Sequence, residues 1–142
     1  MGLRVVLDTS VIVSALRSRN GASFQLVEGV IAGRLTAIVS APLVDEYAEV
    51  LKRPEQAKVH GLDAADIDAF IGGFIADALI SEWSLEDEWV LKADPEDAMV
   101  AQTAYVGRAD HLVTHNIRDF AEVAHRISVL TPGALLRRLR NE

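Results

Sequence analysis

The chain contains no cysteine. That excludes a disulfide framework and any thiolate metal site. It also lacks an apolar run long enough to cross a bilayer, since Leu3–Leu7 is short and is broken by Arg4. No leader-like segment is visible, so a soluble cytoplasmic protein is expected. Basic residues are scarce beside acidic ones, 14 against 21, for a formal net charge of -7. This balance argues against nonspecific nucleic-acid binding through a broad basic face, but not against an anionic substrate reached through metal ions. The histidines are His60, His111, His115 and His125. His111 and His115 have a spacing that suits zinc on a helix, but they flank LVT, which reads as a strand. On a strand their side chains lie roughly 13 Å apart, too far to share an ion, and zinc is set aside.

What the chain does have is apolar residues, 50% of its 142 positions, enough for one domain spanning residues 1–142 with a real core. Leu3–Leu7 reads as a buried strand. Val11–Arg17 and Ser23–Ala32 read as helices split by Asn20 and Gly21. Thr36–Ser40 is a second strand. Pro42 opens a helix to about Arg53, where Pro54 stops it. Asp63–Ala78 is helical, with Ile67, Phe70, Ile71, Phe74 and Ile75 as its apolar stripe. Leu79–Trp83 reads as a strand, followed by the polar stretch Ser84–Glu88 and then WVLKA. Pro95 starts a helix to about Val106. HLVTH and ISVLT are strands, and Pro132 opens a last helix, Gly133–Arg140. Strands alternating with helices predict an α/β fold, a mainly parallel central sheet with helices on both faces. In such sheets ligands collect beyond the carboxyl ends of the strands.

Asp8 stands at one such end, where VVLDTS turns from apolar to polar. It is either a turn residue, with Ser10 capping the next helix, or one wall of a metal site. Glu46 lies on the inward stripe of its helix with Leu43, Tyr47, Val50 and Leu51, whereas Asp45, Glu49 and Lys52 face away. An inward acid needs a partner, or else it sits at the stripe edge and reaches water or an arginine. Asp97 follows Asp94, a good N-cap, and Pro95, a favoured first helical residue, so it complements the helix dipole. It also heads the stripe Val100, Ala101, Ala104. Thr114, Asn116 and Asp119 follow a strand, where turn-forming residues are ordinary.

The ordered set is more informative than any one member. VVLDTSVIVSAL, SAPLVDEYAEVLKR, DPEDAMVAQTAYVGRADHLVTHNIRDF and ISVLTPGALLRRL together resemble the PIN-domain family, especially its VapC-type toxin ribonucleases. The resemblance covers nearly the whole chain and implies a PIN-like three-layer sandwich. It implies that Asp8, Glu46 and Asp97 belong to an acidic metal site, with Asp8 and Asp97 as direct ligands. Many relatives carry Asp where this chain has Asn116, and others pair Asn with a later Asp. The fourth acidic role therefore falls to Asp119, with Asn116 as a neutral ligand or hydrogen-bond partner. Thr9, Ser10 and Thr114 become supporting or phosphate-contacting hydroxyls.

The implied reaction is Mg²⁺- or Mn²⁺-dependent hydrolysis of RNA, leaving a 5′-phosphate and a 3′-hydroxyl. Hard divalent ions suit an all-carboxylate set. The resemblance further implies a homodimer and a cognate antitoxin. Arg17, Arg19, Lys52, Arg53 and Lys58 follow segments that begin near the site; Arg137, Arg138 and Arg140 make a basic end that reads as solvated surface. A haloacid-dehalogenase-type phosphatase would want a second Asp at Ser10, and a receiver domain would want paired N-terminal acids; neither pattern is present. A PIN-like scaffold that binds RNA or a partner without catalysis is the remaining alternative.

Overall fold

The computed structural model describes residues 2–83 and 94–141. Ser84–Glu88 and the WVLKA segment lie outside the described residues. The sheet is built from β1 (Arg4–Leu7), β2 (Thr36–Val39), β3 (Leu79–Ile80), β4 (His111–Val113) and β5 (Val129–Leu130). Its order is β3-β2-β1-β4-β5, and every neighbouring pair is parallel. The expected α/β sandwich is the observed one.

Val5, Val6 and Leu7 are all buried although consecutive strand residues point to opposite faces. The central strand is therefore covered on both sides, as a parallel sheet requires. From β1 to β3 the chain steps in one direction across the sheet; from β3 it crosses back and steps β4 to β5 in the other. Right-handed crossovers consequently place the early helices on one face and the helix before β4 on the other. The strand order reverses between β1 and β4, which is where a crevice opens at the carboxyl edge.

The early helices are α1 (Thr9–Arg17), α2 (Ala22–Ile31), α3 (Ala41–Leu51), α4 (Pro54–His60) and α5 (Ala64–Ile75). The later ones are α6 (Pro95–Val106), packed on β1, β2 and β4, and α7 (Pro132–Arg140), packed on α2. Four of these helices begin on a side-chain cap. Ser40 caps α3 through Leu43 N–H, and Asp63 with Asp66 forms a reciprocal capping box on α5. Asp94 caps α6 ahead of Pro95, and Thr131 caps α7 ahead of Pro132. Tyr47 on α3 meets Phe74 on α5 edge-on, with ring centroids 6.0 Å apart.

Four expectations need correction. Pro54 does not merely end a helix: it occupies the first position of α4, where its missing N–H and fixed φ cost nothing. The proposed strand Leu79–Trp83 is a strand only at Leu79–Ile80, because β2, its partner, ends at Val39. The segment after β4 is not a simple loop but a 3₁₀ helix, Ile117–Val123. Ser10 does not cap α1, since Asp8 holds the N-cap position and Ser10 already lies inside the helix.

Candidate active site

Asp8 occupies the reversal crevice. Its N–H donates to Val113 O at 2.9 Å, continuing the β1–β4 ladder one residue past the strand. Although it is an N-cap by position, its side chain makes no cap hydrogen bond. The carboxylate instead turns across the crevice. Its Oδ2 accepts from Thr114 Oγ1 at 2.7 Å and from Ser10 Oγ at 2.9 Å. Each hydroxyl is fixed in turn. Thr114 Oγ1 accepts from Asn116 N–H at 3.0 Å, and Ser10 Oγ accepts from His115 N–H at 3.3 Å. Both donors thus converge on one oxygen, and Oδ1 accepts no hydrogen bond from the described residues. This support supplies the hydrogen bonds that a polar group only 8% exposed requires.

Thr9, the first residue of α1, donates through Oγ1 to Glu46 Oε2 on α3. Glu46 is half-buried and its pKa is raised. Burial is the main cause, opposed by the Thr9 hydrogen bond and reinforced by the charges of Glu96 and Asp8. The inward stripe position of Glu46 is therefore real, and its partner is a hydroxyl rather than an arginine. Asp97, in the first turn of α6, is pushed up to about 6, by burial first and then by the charges of Asp119, Asp8, Asp94 and Glu96. The charge of Asp8 acts on both Glu46 and Asp97. Asp119 lies in the 3₁₀ helix, exposed, and reaches the group through Asp97. Asn116 is exposed and its backbone, not its side chain, supports Thr114.

Three contributors escaped the sequence reading. Tyr47, fully buried, donates its hydroxyl to the Leu7 carbonyl immediately before Asp8. An aromatic hydroxyl on an inward stripe always needs a partner, and that was the available signal. Glu96 adds negative charge next to both Glu46 and Asp97. Thr103 on α6 is bonded to Ser40 at 2.7 Å, accepts from Trp83 Nε1 at 3.3 Å and donates to Met99 O at 2.9 Å. Since its own hydrogen is committed to Met99, Ser40 is the donor of the shared bond. The buried hydroxyl pair locks the start of the helix carrying Glu46 to the helix carrying Asp97.

Chemically the group is a set of hard oxygen donors that repel one another. Among the described residues no three of them lie close enough to clasp a single ion. The donor chemistry nevertheless fits a hard divalent cation: an open Asp8 Oδ1, and two acids whose pKa values are raised by burial first and by neighbouring negative charge second. His111 and His115 turn to different hydroxyls, Ser128 at 2.8 Å and Ser23 at 3.0 Å. No helix among the described residues is long and apolar enough to cross a membrane.

No match was found among curated protein sequences. The crystal structure of VapBC2 from Rickettsia felis bound to a DNA fragment from their promoter contains a chain of similar fold. The similarity has a TM-score of 0.62 and covers 91% of this chain and 98% of that one, at 17% sequence identity. The family model described as PIN domain matches residues 4–118.

Proposed function

This chain belongs to the PIN domain family, and from that premise we propose that it is a Mg²⁺- or Mn²⁺-dependent endoribonuclease, the toxin of a toxin–antitoxin pair acting in the cytoplasm. The observation that carries the reading is the Asp8 carboxylate, buried at the reversal of strand order, with both supporting hydroxyls on one oxygen. Asp8 and Asp97 are the proposed ion ligands, with Glu46 and Asp119 beside them. A bound divalent cation supplies charge neutralisation and a lowered pKa for the attacking water.

The chain's own groups do the rest. Thr114 and Ser10 hold Asp8 through Oδ2 and leave Oδ1 without a hydrogen bond from the described residues. Glu46, with its pKa raised by burial and its orientation set by Thr9, is suited to accept the proton of the attacking water. Water adds to phosphorus, the bond from phosphorus to the 3′-oxygen breaks, and the leaving oxygen takes a proton from solvent. The products are a 5′-phosphate and a 3′-hydroxyl. A cognate antitoxin and a homodimer belong to the same proposal; the similar fold of a chain in the VapBC2–DNA structure supports the first.

The test is cleavage of single-stranded RNA in Mn²⁺ or Mg²⁺, abolished by excess EDTA. Asp8→Asn is expected to remove cleavage while circular dichroism shows an intact fold. Glu49→Gln, an exposed residue paired among the described residues only with Arg53, is the matched control. Equal cleavage by wild type and Asp8→Asn overturns the mechanism. Asn116 and the spread of the acids favour the second reading, a binding scaffold without catalysis. Under that reading millimolar Mn²⁺ leaves the melting curve unchanged. A cation at about 100 times its dissociation constant instead adds roughly 2.7 kcal/mol.

A further inference from the structure

A shallow, open groove of about 450 Å³ runs along α1 from Thr9 and Ser10, the hydroxyls bonded to Glu46 and Asp8. Its lining includes Thr9, Ser10, Val13, Arg17, His115 and Asn116. Thr9, Val13 and Arg17 are spaced four apart on the helix, so they form one continuous row on its surface. The near end of this row is the hydroxyl that holds Glu46; the far end is a cation.

The state of that cation differs from that of Lys52 and Arg53. Lys52 is paired with Asp68 at 2.7 Å, and Arg53 with Glu49 at 3.0 Å. Arg17 donates both Nε and Nη2 to Gln56 Oε1 on α4, at 3.2 and 3.1 Å. Gln56 is neutral, so it fixes the direction of the guanidinium without cancelling its charge. No carboxylate among the described residues forms an ion pair with Arg17. The remaining N–H groups of the planar fork keep the geometry that grips a phosphate. In a chain of net charge -7, this places an uncancelled positive charge on the wall of the groove.

We propose that an RNA strand leaves the acidic site along the Thr9–Val13–Arg17 row and that Arg17, oriented by Gln56, binds a backbone phosphate flanking the scissile one. Arg17 lies a little over two helical turns from Thr9, about 12 Å at 1.5 Å per residue, too far to act on the reacting phosphate. Its contribution is register and affinity. Val13 offers an apolar wall between the two ends for a sugar or base. The proposal rests on the ribonuclease reading for the position of the scissile phosphate. Gln56 is a positioning residue acting through Arg17.

Gln56→Glu separates this role from simple bracing of α1 against α4. It strengthens the bond to Arg17 while neutralising its charge. The full chain, in Mn²⁺, is assayed with a fluorescent single-stranded RNA for both anisotropy binding and cleavage, across a salt series. Arg17→Ala and Gln56→Glu are each expected to weaken binding and raise KM about tenfold, the loss of one charge-assisted contact. The slope of log affinity against log salt should fall by about 0.7, the value for one phosphate on a single strand. Arg34→Ala, on the opposite edge of the sheet beside Gly2 and Leu3, should change neither. Melting curves should show Gln56→Glu at least as stable as wild type. If Gln56→Glu binds like wild type with an unchanged salt slope, the proposal is overturned while the ribonuclease reading stands. If wild type binds RNA without cutting it and both variants lose affinity, the ribonuclease reading falls and the Arg17 contact stands. If wild type neither binds nor cuts, both are overturned.

Discussion

Asp97→Asn tests the electrostatics of the acidic crevice without requiring substrate. In the folded protein the carboxyl is raised from 3.8 to about 6, chiefly by burial and by Asp119 and Asp8. A group raised on folding favours the folded state while protonated. That stability is present below 3.8 and is lost as pH climbs through about 6. Moving a carboxylate that far costs its charged form at most about 3 kcal/mol. Solvent access to a half-buried side chain reduces this to about 1.5 kcal/mol. Asparagine also forfeits the favourable interaction of a first-turn acid with the helix dipole, about 0.5 kcal/mol. The metal-free variant should therefore exceed wild type by about 1 kcal/mol at pH 7.5, or about 3 °C in Tm. The advantage should shrink toward pH 4, where wild-type Asp97 is neutral in the folded state. Differential scanning calorimetry in EDTA at a series of pH values measures it. A variant less stable than wild type at pH 7.5, or a difference independent of pH, refutes the reasoning.

Other substitutions probe the supports. Tyr47→Phe strips the donor from the buried Leu7 carbonyl and should cost about 1–3 kcal/mol in urea unfolding. Thr114→Val keeps shape but removes both the donor to Asp8 and the acceptor for Asn116 N–H. It should lose about 1–2 kcal/mol and, in the RNA assay, lower kcat more than it raises KM. Gly107→Ala would bring a Cβ to 2.6 Å from Ile38 Cγ2 and 2.8 Å from Thr103 O. That overpacking should cost about 1–3 kcal/mol by thermal or chemical melting.

The alternation of apolar strands with capped helices was plain in the sequence because caps and prolines act locally. Asp94, Pro95, Pro132 and the Ile67–Phe74 stripe all sit where local chemistry puts them. Pro54 misled because proline both ends one helix and begins another, and only packing against α1 and α3 decides that a second helix follows. The inward position of Glu46 was visible from its spacing, but its partner, Thr9, was not. Nor was the turn of Asp8 away from its own helix toward Thr114, because no periodicity encodes a contact across 106 residues. Short strands compound the difficulty: β3 and β5 have two residues each, too few for alternation to mark their ends.

The position of β1 has a consequence for how the molecule comes into being. It is the middle strand of the sheet, yet one of its two neighbours is β4, residues His111–Val113. During translation Asp8 is made early and waits, unpaired, for a strand and a threonine synthesised about a hundred residues later. Pairing so remote in sequence demands closure of a large loop before any contact rewards it, which slows folding. A chain halted before residue 111 carries the first aspartate but neither the strand beside it nor the hydroxyl that aims it. In refolding from denaturant, the far-ultraviolet signal of the early helices should return ahead of the Asp8–Thr114 contact. Any property of the crevice should then appear only with the last, slowest phase.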